Sequence, residues 1–146
     1  MTAAAVRDDT ALAVALLDVD HFKAVNDQHG HGAGDELLAA LGAQLQEAVR
    51  DGDVVARYGG EEFVVVLPSL GLDEAVRRCE QIRAACAGVE LAKSGVHVTV
   101  SAGVACLGPA RDTADLLLEA ADRALYAAKA GGRDRTVAAD PVAQAA

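Results

Sequence analysis

Apolar and polar positions along the chain change period several times, and each change marks an element. Ala11 to Leu17 is an unbroken apolar run, the pattern of a strand buried on both faces. It ends in Asp18-Val19-Asp20, two carboxylates about one apolar side chain. His21 to Gly30 reads as a short helical turn stopped by glycine. From Gly34-Asp35 to about Arg50, the residues Leu37, Leu38, Leu41, Leu45, Ala48 and Val49 recur at helical spacing. Val54-Val55-Ala56 and Phe63 to Leu67 are β-type runs, with Pro68 closing the second. Gly59-Gly60 between them predicts a tight hairpin whose central positions take φ > 0. A helix is expected from Leu72 to Ala87, with Ala75, Val76, Cys79, Ile82 and Cys86 inward. Val96, Val98, Val100, Ala102, Val104 and Cys106 alternate with smaller or polar residues, which predicts one strand. Asp112 or Thr113 can cap a last helix. Its stripe is Leu116, Leu117, Ala120, Ala121, Ala124, Leu125 and Ala128, and Gly131-Gly132 end it.

The order β-α-β-β-α-β plus a final helix predicts an α/β (α+β) fold with a ferredoxin-like sheet flanked by helices. A right-handed crossover makes the first two strands parallel, with room for one strand between them. The hairpin fills that gap with the third strand, antiparallel to the first. Asp18, Asp20, Glu61 and Glu62 are then expected to converge at one edge of the sheet. Carboxylates beside a glycine opening, where backbone can approach a ligand, suit a divalent cation on a phosphate-bearing substrate. For Gly-Gly-Glu-Glu alone, a solvated acidic hairpin tip is the simpler reading.

At 146 residues the chain is one domain. Aromatics at 3% favour Ala-rich helices on a Val-rich sheet over an aromatic core. The net charge of −9 argues against nucleic acid or an anionic membrane surface as partner. A local pocket or a bound metal can still reverse the sign for a small phosphorylated ligand. Cys79 and Cys86, seven residues apart on a helix, lie about 10 Å apart along its axis, too far for a disulfide. No zinc-type cysteine spacing is present, so free thiols in a reducing cytosol are expected. The first ten residues lack the pattern of a signal peptide, and no apolar run is long enough to span a bilayer. The expectation is a soluble cytoplasmic chain.

Asp18-x-Asp20-x-Phe22-Lys23-x-x-Asn26-Asp27-x-x-Gly30-His31-x-x-Gly34-Asp35, followed by Gly59-Gly60-Glu61-Glu62-Phe63, resembles the GGDEF domain of diguanylate cyclases. That family has a nucleotide-cyclase palm-like fold and joins two GTP into cyclic di-GMP, releasing two pyrophosphates. The resemblance spans Ala11 to about Thr136. It implies Mg²⁺, or Mn²⁺ in its place, held by Asp18, Glu61, Glu62 and the Val19 carbonyl. It implies catalytic roles for Glu61, Glu62 and Lys23, with Glu61 assisting deprotonation of the attacking 3′-hydroxyl. Phosphoryl transfer asks for positioning and charge neutralisation more than covalent help, which fits such a set. Asn26 and Asp35 match the positions that read guanine: a carboxylate accepts from N1–H and the exocyclic amine, and an amide donates to O6. Helix capping is the other role open to both. Lys23, Lys129 and Arg133 match phosphate contacts, with an ordinary basic helix terminus as the rival reading of Lys129 and Arg133. Gly60 would let backbone approach the ligand. Phe22 is core first and ligand wall second, and His21, His29 and His31 are structural or surface residues.

Arg50-x-x-Asp53 resembles the family's inhibitory product site, with a helix-end ion pair as its plain alternative. Which of Arg77, Arg78 or Arg83 would assist it is open. Family members usually carry a further segment and helix ahead of the first strand, and nothing here resembles it. Residues 1–10 are therefore expected to be a disordered or partial N-terminal segment, 11–137 the domain, and 138–146 a disordered tail. One site holds one GTP, so turnover implies a homodimer. The rival is a non-catalytic cyclic di-GMP or GTP binding module.

Overall fold

The computed structural model describes residues 11–109 and 111–140. Its elements are β1 (Leu12–Val19), α1 (Phe22–His29), α2 (His31–Ala48), β2 (Val54–Gly59), β3 (Glu62–Pro68), α3 (Leu72–Ala87), β4 (Val100–Cys106), α4 (Ala114–Ala130) and β5 (Thr136–Ala138). The strands form one sheet in the order β2-β3-β1-β4-β5. β1 is antiparallel to β3 and β4, β2 is antiparallel to β3, and β5 is parallel to β4. β1 and β2 are therefore parallel with β3 between them, as the crossover rule requires.

β1 is the central strand and every one of its residues is buried. Ala13, Ala15, Leu17 and Val19 face the layer of α2 and α3, where Leu37, Leu41, Leu45, Ile82 and Cys86 complete one core. Leu12, Val14 and Leu16 face α4, packing with Leu117, Ala121 and Leu125. The two sides differ in side-chain size for a reason. On β4, Ser101, Gly103 and Ala105 lie under α4, and a Cβ on Gly103 would fall 2.2 Å from the Ala121 carbonyl oxygen. Small residues there let the α4 backbone approach the sheet closely. Thr113 caps α4, its hydroxyl accepting from the Leu116 N–H at 3.2 Å. The cysteines are free, and burial pushes the Cys79 thiol up to about 12 and Cys86 up to about 11.

Several expectations shift. α2 begins at His31 rather than Gly34, directly after Gly30 with its φ of 90°. Of the run Val96–Cys106 only Val100–Cys106 is ladder; Val96 and Val98 bury in the core from a loop that touches Glu90 through a bridge at His97. Leu116 is 41% exposed instead of facing inward. β5 was not expected, since three residues carry no periodicity. Ala138 ends that strand and the Ala139 N–H donates to the Val104 carbonyl at 2.7 Å, so ordered chain passes the expected tail boundary. The expectations for residues 1–10 and 141–146 lie outside the described residues.

Gly103→Ala should cost about 2–4 kcal/mol in urea unfolding, because the new methyl meets backbone that cannot yield. Gly42→Ala, where the Cβ would sit 3.6 Å from Phe63 within a helix, should instead be neutral or stabilise by up to about 1 kcal/mol.

Candidate active site

Pairing of β1 with β3 sets Asp18 opposite Glu62, and the Val19 N–H donates to the Glu61 carbonyl at 3.3 Å. Two acidic stretches more than forty residues apart in sequence thus meet at one rim of the sheet. The hairpin bulges between Arg57 and Gly59, which leaves Gly60 and Glu61 as the turn itself. The Arg57 guanidinium donates twice to the Gly60 carbonyl, at 3.1 and 2.5 Å, and ties the turn back on itself. Neither Gly59 nor Gly60 takes a left-handed φ, contrary to the hairpin expectation, and a Cβ on either would meet nothing within 4 Å. The fold does not demand these glycines. The open space beside them is available to a ligand.

Asp18 is buried, and its Oδ2 forms an ion pair with Lys129 Nζ at 2.9 Å. Its Oδ1 is buried without a partner. Burial first, then the Asp18 charge, raises the Glu61 carboxyl above its ordinary range, with Lys129 opposing. Burial, Asp18 and then Asp122 raise Glu62 in the same way, with Lys129 opposing. An orphaned carboxylate oxygen amid mutually repelling acids fits a divalent cation. Among the described residues no three acidic, imidazole or thiol groups form a ready cage, and the Lys129 ammonium supplies the positive charge.

Asp20 stays beside Asp18, at Ser101, but its carboxylate is already occupied. It is 2% exposed, and its carboxylate accepts from Thr99 Oγ1 and Ser101 Oγ at 2.7 Å and from the Asp134 N–H at 3.1 Å. The strand alternation that pairs it with Asp18 ends at Val19, and the chain turns at His21, whose φ is 57°.

α1 and α2 build a second wall. Asn26 projects from α1 over Gly34, where a Cβ would lie 1.9 Å from Asn26 Oδ1 and 3.0 Å from the Phe22 ring. Gly34 thus makes room for Asn26, whose Oδ1 is buried with no partner. Phe22 packs on the core and borders that space. Asp35 lies in the second turn of α2 and no side chain caps the helix, so the capping role open to Asp35 falls away. Lys23 is 90% exposed and makes an ion pair with Asp27 at 3.4 Å.

Arg133 follows α4 by one turn and, among the described residues, enters hydrogen bonds only through its backbone N–H and carbonyl. Arg50 and Asp53 form the helix-end ion pair at 2.7 Å, and Arg50 also donates to the Pro68 carbonyl at 3.0 Å. That bond to Asp53 raises the Arg50 pKa further. Arg78 reaches the Ala48 carbonyl at 2.9 Å, near Arg50, while Arg77 pairs with Glu74. Arg83 is occupied elsewhere: it is 7% exposed and binds Glu80, Asp134 and the Val100 carbonyl. A charged residue on a buried helix stripe, three after Glu80, was the signal that could have found it.

The mixed sheet, with carboxylates on adjacent antiparallel strands and helices behind, defines a nucleotide-cyclase palm-like protein. The family model for the diguanylate cyclase GGDEF domain matches residues 1–135, and the chain belongs to that family. It is 42% identical over 131 residues to diguanylate cyclase DgcP of Pseudomonas aeruginosa, covering 88% of this chain and 19% of that protein. It is 46% identical over 125 residues to DgcM of Escherichia coli, covering 85% of this chain and 30% of DgcM. The chain thus spans less than a third of either relative. The GGDEF domain of DgcB from Caulobacter crescentus, solved with c-di-GMP, superposes with a TM-score of 0.87 at 33% identity, covering 95% and 84% of the two chains. The active GGEEF domain of a Vibrio cholerae diguanylate cyclase gives 0.88 at 34%, covering 95% and 89%. No helix among the described residues is long and apolar enough to cross a membrane.

Because Glu61 and Glu62 titrate higher folded than unfolded, the folded chain holds more protons above the ordinary glutamate range. Stability must therefore fall as pH rises through that window. In divalent-free buffer near neutrality, Glu62→Gln should melt higher than the parent by on the order of 2 °C, a gain that vanishes below about pH 4. Melting at or below the parent near neutrality would show that these acids do not repel.

Proposed function

We propose that the chain is a diguanylate cyclase, condensing two GTP into cyclic di-GMP with release of two pyrophosphates. The observation that carries this is the meeting of Asp18, Glu61 and Glu62 at one rim in a chain of the GGDEF family. Asp18, Glu61, Glu62 and the Val19 carbonyl would hold Mg²⁺, or Mn²⁺ in its place. When bound, the cation supplies charge neutralisation for the triphosphate and a lower pKa for the attacking 3′-hydroxyl.

The remaining work belongs to side chains. Asn26 and Asp35 present amide and carboxylate to the guanine edge, with Phe22 and Gly34 bounding that space. Adenine offers the opposite donor pattern, which would leave buried groups unpaired and reject it by roughly 10⁴-fold. Gly60, free of any Cβ, lets the turn backbone approach the phosphates. Lys23, Lys129 and Arg133 bring positive charge to them, and Lys129 already stands at the rim through Asp18. Glu61 assists removal of the 3′ proton; the oxygen then attacks the α-phosphorus of the second nucleotide and pyrophosphate departs. Each copy holds one GTP, so two copies must face each other, and activity should rise with protein concentration. Cyclic di-GMP would bind back at Arg50 and Asp53, assisted by Arg78, and inhibit. A reaction consuming GTP belongs to the cytoplasm.

Incubation with GTP and Mg²⁺ followed by mass analysis of the nucleotides should reveal cyclic di-GMP. Glu61→Ala should lower the rate at least about 100-fold, while Arg50→Ala should keep the initial rate and lose product inhibition. Tight cyclic di-GMP binding with no dinucleotide formed at high protein concentration would instead make the chain a binding module.

A further inference from the structure

We propose that Asp20, Arg83 and Asp134 are positioning residues that fix the turn after α4, and with it the backbone that carries Arg133 near the strand end bearing Asp18. The proposal rests on the GTP-binding function above and deepens it.

The turn is held in a conformation that its residues do not favour. Arg133 and Asp134, neither of them glycine, follow one another with φ of 65° and 52°. L side chains disfavour the left-handed region, and it persists where surrounding contacts over-determine it. Those contacts are unusually complete here. The Asp134 N–H donates to Asp20 Oδ2 at 3.1 Å, and Asp134 Oδ1 accepts from Arg83 Nη1 at 2.6 Å. The Arg133 N–H returns to the Ala128 carbonyl at 2.9 Å, and the Arg135 carbonyl accepts from the Ala102 N–H at 2.9 Å.

Both anchors are themselves immobilised. Asp20 also takes the hydroxyls of Thr99 and Ser101, and Arg83 spends its other donors on Glu80 and the Val100 carbonyl. Asp20 lies two residues beyond Asp18, so one buried carboxylate ties the strand end bearing Asp18 to the turn bearing Arg133. Arg133 is the exception in this web, since among the hydrogen bonds and ion pairs of the described residues it takes part only through its backbone. A clamped backbone carrying a free cation is preorganised to meet an anion, and loosening it misplaces the charge.

Binding of 3′-deoxy-GTP with Mg²⁺, measured calorimetrically on the full chain, tests this without turnover. Arg83→Met should bind about tenfold more weakly than the parent. In an Arg133→Ala background the same substitution should cost nothing further, and guanosine, which lacks phosphates, should bind parent and variant alike. Equal losses in both backgrounds, or parent-like affinity in Arg83→Met, would overturn the proposal. Asp134→Asn keeps the shape and removes only the charge facing Arg83; it carries the same cycle if Arg83→Met does not fold. A parent that binds no 3′-deoxy-GTP would sink the functional reading itself, a result separate from either of these.

Discussion

The antiparallel pairing of β1 with β3 is the contact on which the site depends. It places Asp18 directly across from Glu62 and draws the Glu61 carbonyl onto the Val19 N–H. Like charges facing each other on neighbouring strands destabilise a sheet. The register is nonetheless fixed, because a slip of one residue would move Leu17 to the face packed against α4 and turn Phe63 and Val65 onto the half-buried face of β3. Apolar burial along the strands therefore forces the acids together at their ends. Lys129 answers part of the excess by reaching Asp18 from α4.

Glycines separate what the fold needs from what a ligand needs. Gly103 is structural, since any side chain there would strike the backbone of α4. Gly34 gives its space to Asn26, a polar group with an unpartnered buried oxygen. Gly59 and Gly60 have neither left-handed torsion nor a crowded neighbourhood. Residues without side chains that the protein's own packing does not require leave room for something outside the protein, which under the function proposed above would be the substrate.

A second set of charges works in the opposite sense. Asp20 and Arg83 are buried with their hydrogen bonds made, and Arg83 holds the Glu80 carboxyl below its usual range. Breaking one partner of such a group leaves the other desolvated, so these residues act as a unit. The rim acids are the reverse, raised by burial and crowding and only partly compensated. The chain thus keeps a satisfied ionic network beside an unsatisfied one, and the unsatisfied one is where a cation and a phosphate would add most.

Periodicity was enough to place the apolar run of β1, the stripes of α3 and α4, and the β-α-β-β order, because burial dictates residue type at every turn or alternate position. The strand order read from that pattern was enough to bring Asp18 and Glu62 together at one rim. It did not reveal that Asp20 is spent on buried hydrogen bonds, and it passed over Arg83 and Asp134, because partners 51 to 114 residues apart in the chain leave no local pattern. β5 escaped for a related reason, being a strand only because β4 offers it an edge. Hydrophobic pattern is a property of neighbours in sequence and can be read along a line. Which carboxylate stays free for a ligand and which is spent on a buried bond depends on neighbours in space, and those exist only once the chain has folded.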